Sequence, residues 1–314
     1  MIKILYLLFF LIINITTLNA LSINEAAKNL KDGNYETALA QFTQLALDDN
    51  VNAQYNLGLM NYKGLGTSID KKLAFFWYEQ AANNGNKQAL NNLAYMYYMG
   101  ETVKKDINKA KYYYEESAKQ GYALAQLNIA MIYEKSTNKE NLSKSFQWYK
   151  EAALQGVIIA QNNLASMYYF GKGVKKDLKQ AAYWYEKSAD ANNPIAQYNL
   201  ALMYLSGDGI KTDHKKAISL LEKSSSSEMI LAQIKLADIY REGSIINVDY
   251  KKAFDLYMQA TKENNTKAMY YIGFFYFNGQ GVARNEVKAI EWMKRAESLG
   301  HKRATNFLKL NNLR

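Results

Sequence analysis

Apolar positions along this chain follow a helical period nested inside a much longer one. Alanine opens the same phrase at Ala53, Ala89, Ala125, Ala160, Ala196, Ala232 and Ala268, with an eighth start at Ala304. The step is 36 residues throughout, except for 35 between Ala125 and Ala160. With the alanine as position zero, position 4 is always Leu or Ile, from Leu57 and Leu93 to Ile272. Position 5 is Gly or Ala, position 7 is Met, Ile or Phe, and position 8 is Tyr in six copies, Tyr97 to Tyr276. Offsets of 0, 4, 7 and 8 lie on one face of an α-helix, so the pattern predicts a first helix in each copy. The tiny residue at position 5 lets a second helix approach closely, where a bulky one would cost about 1–3 kcal/mol.

A glycine turn follows, at Gly64/Gly66, Gly100, Gly171/Gly173, Gly207/Gly209, Gly243 and Gly279/Gly281. Position 17 is then Asp70, Asp106, Asp177, Asp213, Asp249 or Asn285, with Asn141 at the same place in the short copy. Asp and Asn accept hydrogen bonds from the free amides of a helix start, which predicts a second helix from each. Along it a small residue (Ala74, Ala110) precedes a bulky pair (Trp77-Tyr78, Tyr113-Tyr114, Trp148-Tyr149, Trp184-Tyr185, Trp292-Met293), and small residues return a turn later, as at Ala81-Ala82. Large-against-small alternation is what interlocking helices require. Trp77, Trp148, Trp184 and Trp292 all fall in these pairs and are expected in the core. A hairpin of this size cannot bury its own apolar face, so it must stack on its neighbours.

The run Ala160-Gln161-Asn162-Asn163-Leu164-Ala165, the turn Gly171-Lys172-Gly173-Val174-Lys175-Lys176-Asp177 and the stretch Ala182-Tyr183-Trp184-Tyr185 resemble the Sel-1-like repeat, SLR, a branch of the tetratricopeptide superfamily. The resemblance covers residues 53–303. It implies an all-α, right-handed α/α superhelix of seven hairpins: 53–88, 89–124, 125–159, 160–195, 196–231, 232–267 and 268–303. The third copy departs from the pattern, because Glu134 to Asn141 holds no glycine, and the fifth carries Ser224 to Ser227 at the end of its second helix. Residues 21–52 read as a divergent tetratricopeptide-like hairpin, turning at Asp32-Gly33-Asn34-Tyr35, with Ala38, Phe42 and Leu45 on an apolar face. Residues 304–314 read as a closing helix. Both would cover the core at the ends of one continuous array.

The resemblance also implies that first helices line a concave face. Positions 2, 6, 9 and 10 are left for it, and they carry Tyr55, Tyr198 and Tyr270, then Tyr95 and Phe274, then Tyr62, Tyr98, Tyr169 and Phe277, then Lys63, Met99, Lys135 and Phe170. Aromatic rings offer large rigid contact area, which fits recognition of a peptide or a sugar chain. The same rings could instead pack against neighbouring repeats. An asparagine row at position 3 (Asn56, Asn92, Asn128, Asn163, Asn199) also asks for a reason, since Asn competes with the helix backbone for hydrogen bonds. It either holds an extended peptide or bonds adjacent helices.

Composition narrows the rest. Lys3, the apolar run Ile4 to Ile13 and small Ala20 form a secretory signal pattern over residues 1–20, with an uncleaved anchor as the alternative. Export predicts a periplasmic product first and a secreted one second, and the Asn/Lys/Ile/Tyr-rich composition fits an AT-rich bacterium. The chain has no cysteine, hence no disulfide and no thiolate metal site. Its one proline in 314 residues suits a chain helical nearly throughout. The net charge of +10 is spread widely, with a denser basic tail (Lys294, Arg295, Lys302, Arg303, Lys309, Arg314), and no motif points to nucleic acid.

His214 and His301, the two histidines, lie far apart and do not form a metal cluster. The Gly-x-Gly turns follow helices and run into an aspartate, unlike a phosphate loop. Ser-x-x-Lys occurs at Ser68–Lys71 and Ser136–Lys139, and cysteine-rich SLR relatives are associated with β-lactamase activity. This chain lacks both their cysteines and the Ser-Asp-Asn and Lys-Thr-Gly partner motifs. The expectation is a non-enzymatic exported scaffold that needs no cofactor or metal. It would bind a protein or peptide partner in envelope assembly, signalling or host interaction, with a cell-wall glycan as the alternative ligand and no membrane span once the signal is removed.

Overall fold

The computed structural model describes residues 22–313; the signal pattern over residues 1–20 lies outside them. The described residues contain seventeen α-helices and no strand. A leading hairpin, α1 (Ile23–Lys31) and α2 (Tyr35–Leu47), precedes seven pairs. These are α3 (Val51–Lys63) with α4 (Lys71–Asn83), α5 (Lys87–Met99) with α6 (Ile107–Lys119), and α7 (Ala123–Glu134) with α8 (Lys139–Leu154). Then come α9 (Ile158–Phe170) with α10 (Leu178–Asp190), α11 (Pro194–Ser206) with α12 (His214–Ser226), α13 (Ile230–Glu242) with α14 (Tyr250–Ala260), and α15 (Thr266–Asn278) with α16 (Glu286–Ser298). The last helix is α17 (Lys302–Leu310). The chain forms two compact units, one up to Ile132 and one from Tyr133. Their boundary falls in the third repeat, where the loop glycine is missing. Successive helices pack on one another from α1 to α6 and from α8 to α17.

Local chemistry sets the helix ends. Asp70, Asp106 and Asp177 each accept two amide hydrogen bonds at 3.0 Å from the first turn of the second helix, and Asp213, Asp249 and Asn285 accept one. Asn141 does not take this role. Asn138 caps α8 instead, accepting from the Glu140 amide at 2.7 Å. Without a glycine turn, the chain re-enters helix a turn earlier. First helices end on a glycine in the left-handed region, such as Gly64 at φ 72° and Gly171 at φ 68°.

The second turn glycine has a different purpose. A Cβ on Gly66 would lie 2.6 Å from the carbonyl oxygen of Tyr35, because this loop rests on the start of the second helix before it. At position 5, a Cβ on Gly58 would lie 2.7 Å from the ring of Tyr78. Close approach is therefore what the small residues supply.

The core of each unit is made of the repeat alanines, the position 4 and 7 aliphatics and the second-helix tyrosines. Tyr78, Tyr149 and Tyr257 are fully enclosed. Of the tryptophans only Trp184 is buried; Trp77, Trp148 and Trp292 are partly buried. Trp184 is thus in the core as expected, and Trp77 and Trp292 pack against its edge. In those pairs the following residue, such as Tyr78, takes the inner place. Buried polar groups repeat too. Gln54, Gln126, Gln161, Gln197 and Gln233 each donate to the carbonyl eight residues earlier, at the end of the preceding helix. Ser117, Ser188 and Ser224 donate to carbonyls at the start of the first helix of their own repeat, at 2.6–2.9 Å. The glutamine bonds supply carbonyls at the C-terminal ends of helices, which have no partner within their own helix.

Candidate functional site

In the first unit the predicted residues of repeats one to three come together. Tyr78, on α4, lies beneath them, with the rings of Tyr55 and Tyr62 at 6.2 and 6.5 Å. The Asn92 amide lies near the Tyr78 hydroxyl and opposes the upward shift that burial gives it. Asn91 donates to Asn92 at 3.2 Å, and Asn128 donates to Asn91 at 3.0 Å. A chain of amides thus runs from one first helix to the next and ends beside a buried phenol. Tyr62 donates to Glu101 at 3.0 Å, and Lys71 pairs with the same carboxylate at 3.1 Å. Burial, then the Glu101 bond, pushes the Tyr62 hydroxyl up to about 12. Tyr95 is exposed, Met99 beside it is 51% exposed, and Lys105 lies over the Tyr98 ring.

A cleft of about 310 Å³ opens between α3 and α5. Leu59, Tyr62 and Lys63 form one wall, Asn92, Tyr95 and Met96 the other, and Tyr78 the floor.

The second unit repeats the arrangement with changes. Asn163 lies near the Tyr149 hydroxyl, which donates to Glu134 at 2.7 Å, and Asn162 donates to Asn163 at 3.1 Å. Tyr169 donates to Asp208 at 2.9 Å beneath Lys176. Its neighbour Phe170 is 63% exposed. Tyr198 is half-buried, and its hydroxyl is raised by burial and by the charge of Asp238.

Tyr270, Phe274 and Phe277 serve the end of the array. Tyr270 stacks on His301 at 4.9 Å, Phe277 meets Phe307 edge-on at 4.9 Å, and Phe274 lies against the cluster around Leu308. Much of the ring surface of all three is thereby covered by α17.

Two features were missed in the sequence. Repeat six carries Asp238 and Arg241 where most other repeats carry apolar or aromatic side chains, Ser166 and Glu134 being the exceptions. Asp238 accepts from Tyr257 and Lys267, both at 2.5 Å, while Arg241 lies 4.4 Å over the Tyr271 ring and also pairs with Glu242. The second is a row one residue before the repeat alanine: Ile159, Ile195 and Leu231 are each about half exposed. Apolar residues at position −1, off the 0-4-7-8 stripe, were the available signal.

The serine–lysine pairs are otherwise engaged: Lys71 pairs with Glu101, and Ser136 Oγ accepts from the Asn138 amide and the Asn141 side chain. Among the described residues no group of three or more His, Cys, Asp or Glu could hold a metal ion, and no helix is long and apolar enough to cross a membrane.

The profile of the Sel1 repeat matches seven times, at residues 51–86, 87–122, 123–157, 158–193, 194–228, 230–265 and 266–301. Among solved structures, a protective antigen of uropathogenic Escherichia coli with an SLR fold is 29% identical, with a TM-score of 0.80, covering 89% of this chain and 62% of that one. The present chain therefore spans less than two thirds of that relative. A Sel1 repeat protein from Oxalobacter formigenes is 27% identical, with a TM-score of 0.71 over 92% of this chain and 87% of the other. Among curated proteins none is significantly similar. Seven profile matches, helical hairpins throughout and these neighbours agree: the chain belongs to the Sel1 repeat family, tetratricopeptide-like α/α solenoids that generally serve as scaffolds for protein–protein interaction.

Proposed function

We propose that this protein is an exported scaffold that holds a polypeptide partner against the Tyr/Asn face of its first helices. One observation carries the reading: tyrosines at positions 2 and 9 are held by fixed partners, beside exposed Tyr95, Met99 and Phe170. Rings set in place before binding lose little freedom on contact, which favours affinity. Lys3, the apolar run and Ala20 support export, and a periplasmic location comes first. Envelope assembly, signalling and host interaction all fit such a scaffold. No catalytic step is assigned to it.

Capture of partners from an envelope extract tests the reading. Wild type and a triple variant, Tyr95→Ala, Met99→Ala and Phe170→Ala, would be compared. These side chains are exposed, so melting should be unchanged while capture of a defined protein is lost. Capture that survives the triple variant but fails with Ile195→Ser and Leu231→Ser would contradict the reading. So would co-sedimentation with insoluble peptidoglycan in place of a captured protein.

A further inference from the structure

Positions 2, 3, 6, 9 and 10 of the first two repeats read Tyr55, Asn56, Leu59, Tyr62 and Lys63, then Asn91, Asn92, Tyr95, Tyr98 and Met99. Lys63 is the single charge among them. It is exposed, forms no salt bridge among the described residues, and lies on the wall of the cleft between α3 and α5. The nearby carboxylate, Glu101, is already taken by Tyr62 and Lys71. Lys71 and Lys105 add positive charge over the Tyr62 and Tyr98 rings. The cleft itself is apolar-walled and stiff. Tyr78 is enclosed by its neighbours and Tyr62 is held by Glu101, so neither ring must be ordered on binding.

We infer that this cleft takes one large apolar side chain of the partner polypeptide, with an Asp or Glu next to it in sequence set against Lys63. The inference rests on the scaffold reading and names the chemistry that reading leaves open. A volume of about 310 Å³ lies at the lower end of ligand clefts, enough for a side chain and its flanking backbone. Tyr95 and Leu59 supply apolar contact, and Asn92 presents an amide at the wall. An ammonium beside neutral walls discriminates by charge. It attracts a carboxylate and repels a basic neighbour.

Selection of a random peptide phage library on the full chain, in parallel with Lys63→Glu and Tyr95→Ala, tests this. Wild type should enrich peptides with an aromatic or large aliphatic residue adjacent to Asp or Glu. Lys63→Glu, an exposed change that leaves the fold intact, should enrich the apolar residue beside Lys or Arg instead. It should also bind a wild-type-selected peptide at least about tenfold more weakly in a fluorescence anisotropy titration. Peptides that bind wild type and Lys63→Glu equally, yet are lost with Tyr95→Ala, would overturn the inference and leave the scaffold reading standing. Peptides indifferent to both changes would overturn the inference and count against the face itself.

Discussion

Single residues here act mostly by being small or by holding a tyrosine. Gly66 shows the first case. Its φ of 69° disfavours any side chain, and a Cβ would meet the backbone of Tyr35. Gly66→Ala should cost about 2 kcal/mol or more, read as a lower urea midpoint, whereas Gly85, whose Cβ would meet nothing, should cost less when changed to Ala. Equal effects would show that the close approach at Gly66 is not maintained in solution. The asparagine row shows the second case. Asn92 and Asn163 lie beside the hydroxyls of buried tyrosines and Asn128 extends the chain of amides, while Asn56 bonds back to the carbonyl of Asn52 in its own helix at 2.8 Å. Asn163→Ala should lower stability by about 1 kcal/mol, and Asn56→Ala should leave it nearly unchanged, both measured by denaturant titration. The row was visible in the sequence. Its division of labour was not, because it depends on which tyrosine stands opposite each amide.

Helices were legible because each signals its own ends. The aspartates at position 17, the turn glycines and the 0-4-7-8 stripe all act within a few residues, and local signals can be read from a single chain. Asn141 shows the limit. Its place in the register is right, but without glycine the loop takes another path and Asn138 becomes the cap. Asn138→Ala should therefore cost about 1 kcal/mol, more than Asn141→Ala, in a thermal melt. The reverse order would mean that α8 begins where the register places it. Trp77, Trp148 and Trp292 lie less deep than the residues that follow them for a related reason. A bulky pair on a helix has one member facing in, and the periodicity alone does not say which.

At the scale of the molecule, enclosed tyrosines tie stability to pH. Burial raises the hydroxyls of Tyr78, Tyr114, Tyr149 and Tyr257 well above 10.0, and those of Tyr62 and Tyr185 to about 12. The unfolded chain loses these protons first, so the stabilisation is complete below pH 10 and declines as pH rises through about 12. Urea midpoints should be level from pH 8 to 9.5 and fall steeply by pH 11.5. A flat profile would mean that the tyrosines are open to water. The repeat architecture, the family and the aromatic rows could all be read from the sequence. How α17 covers Tyr270, Phe274 and Phe277, and how exposed the Ile159, Ile195 and Leu231 row is, could not, since both depend on packing between helices. The central claim is that a partner lies on the tyrosine and asparagine face, and site-specific photo-crosslinking in living cells tests it most directly. Probes at Tyr95 and at Phe170 should each trap a protein, while probes at Ile195 and Leu231 trap none. Trapping from Ile195 and Leu231 with silence at Tyr95 and Phe170 would contradict the account.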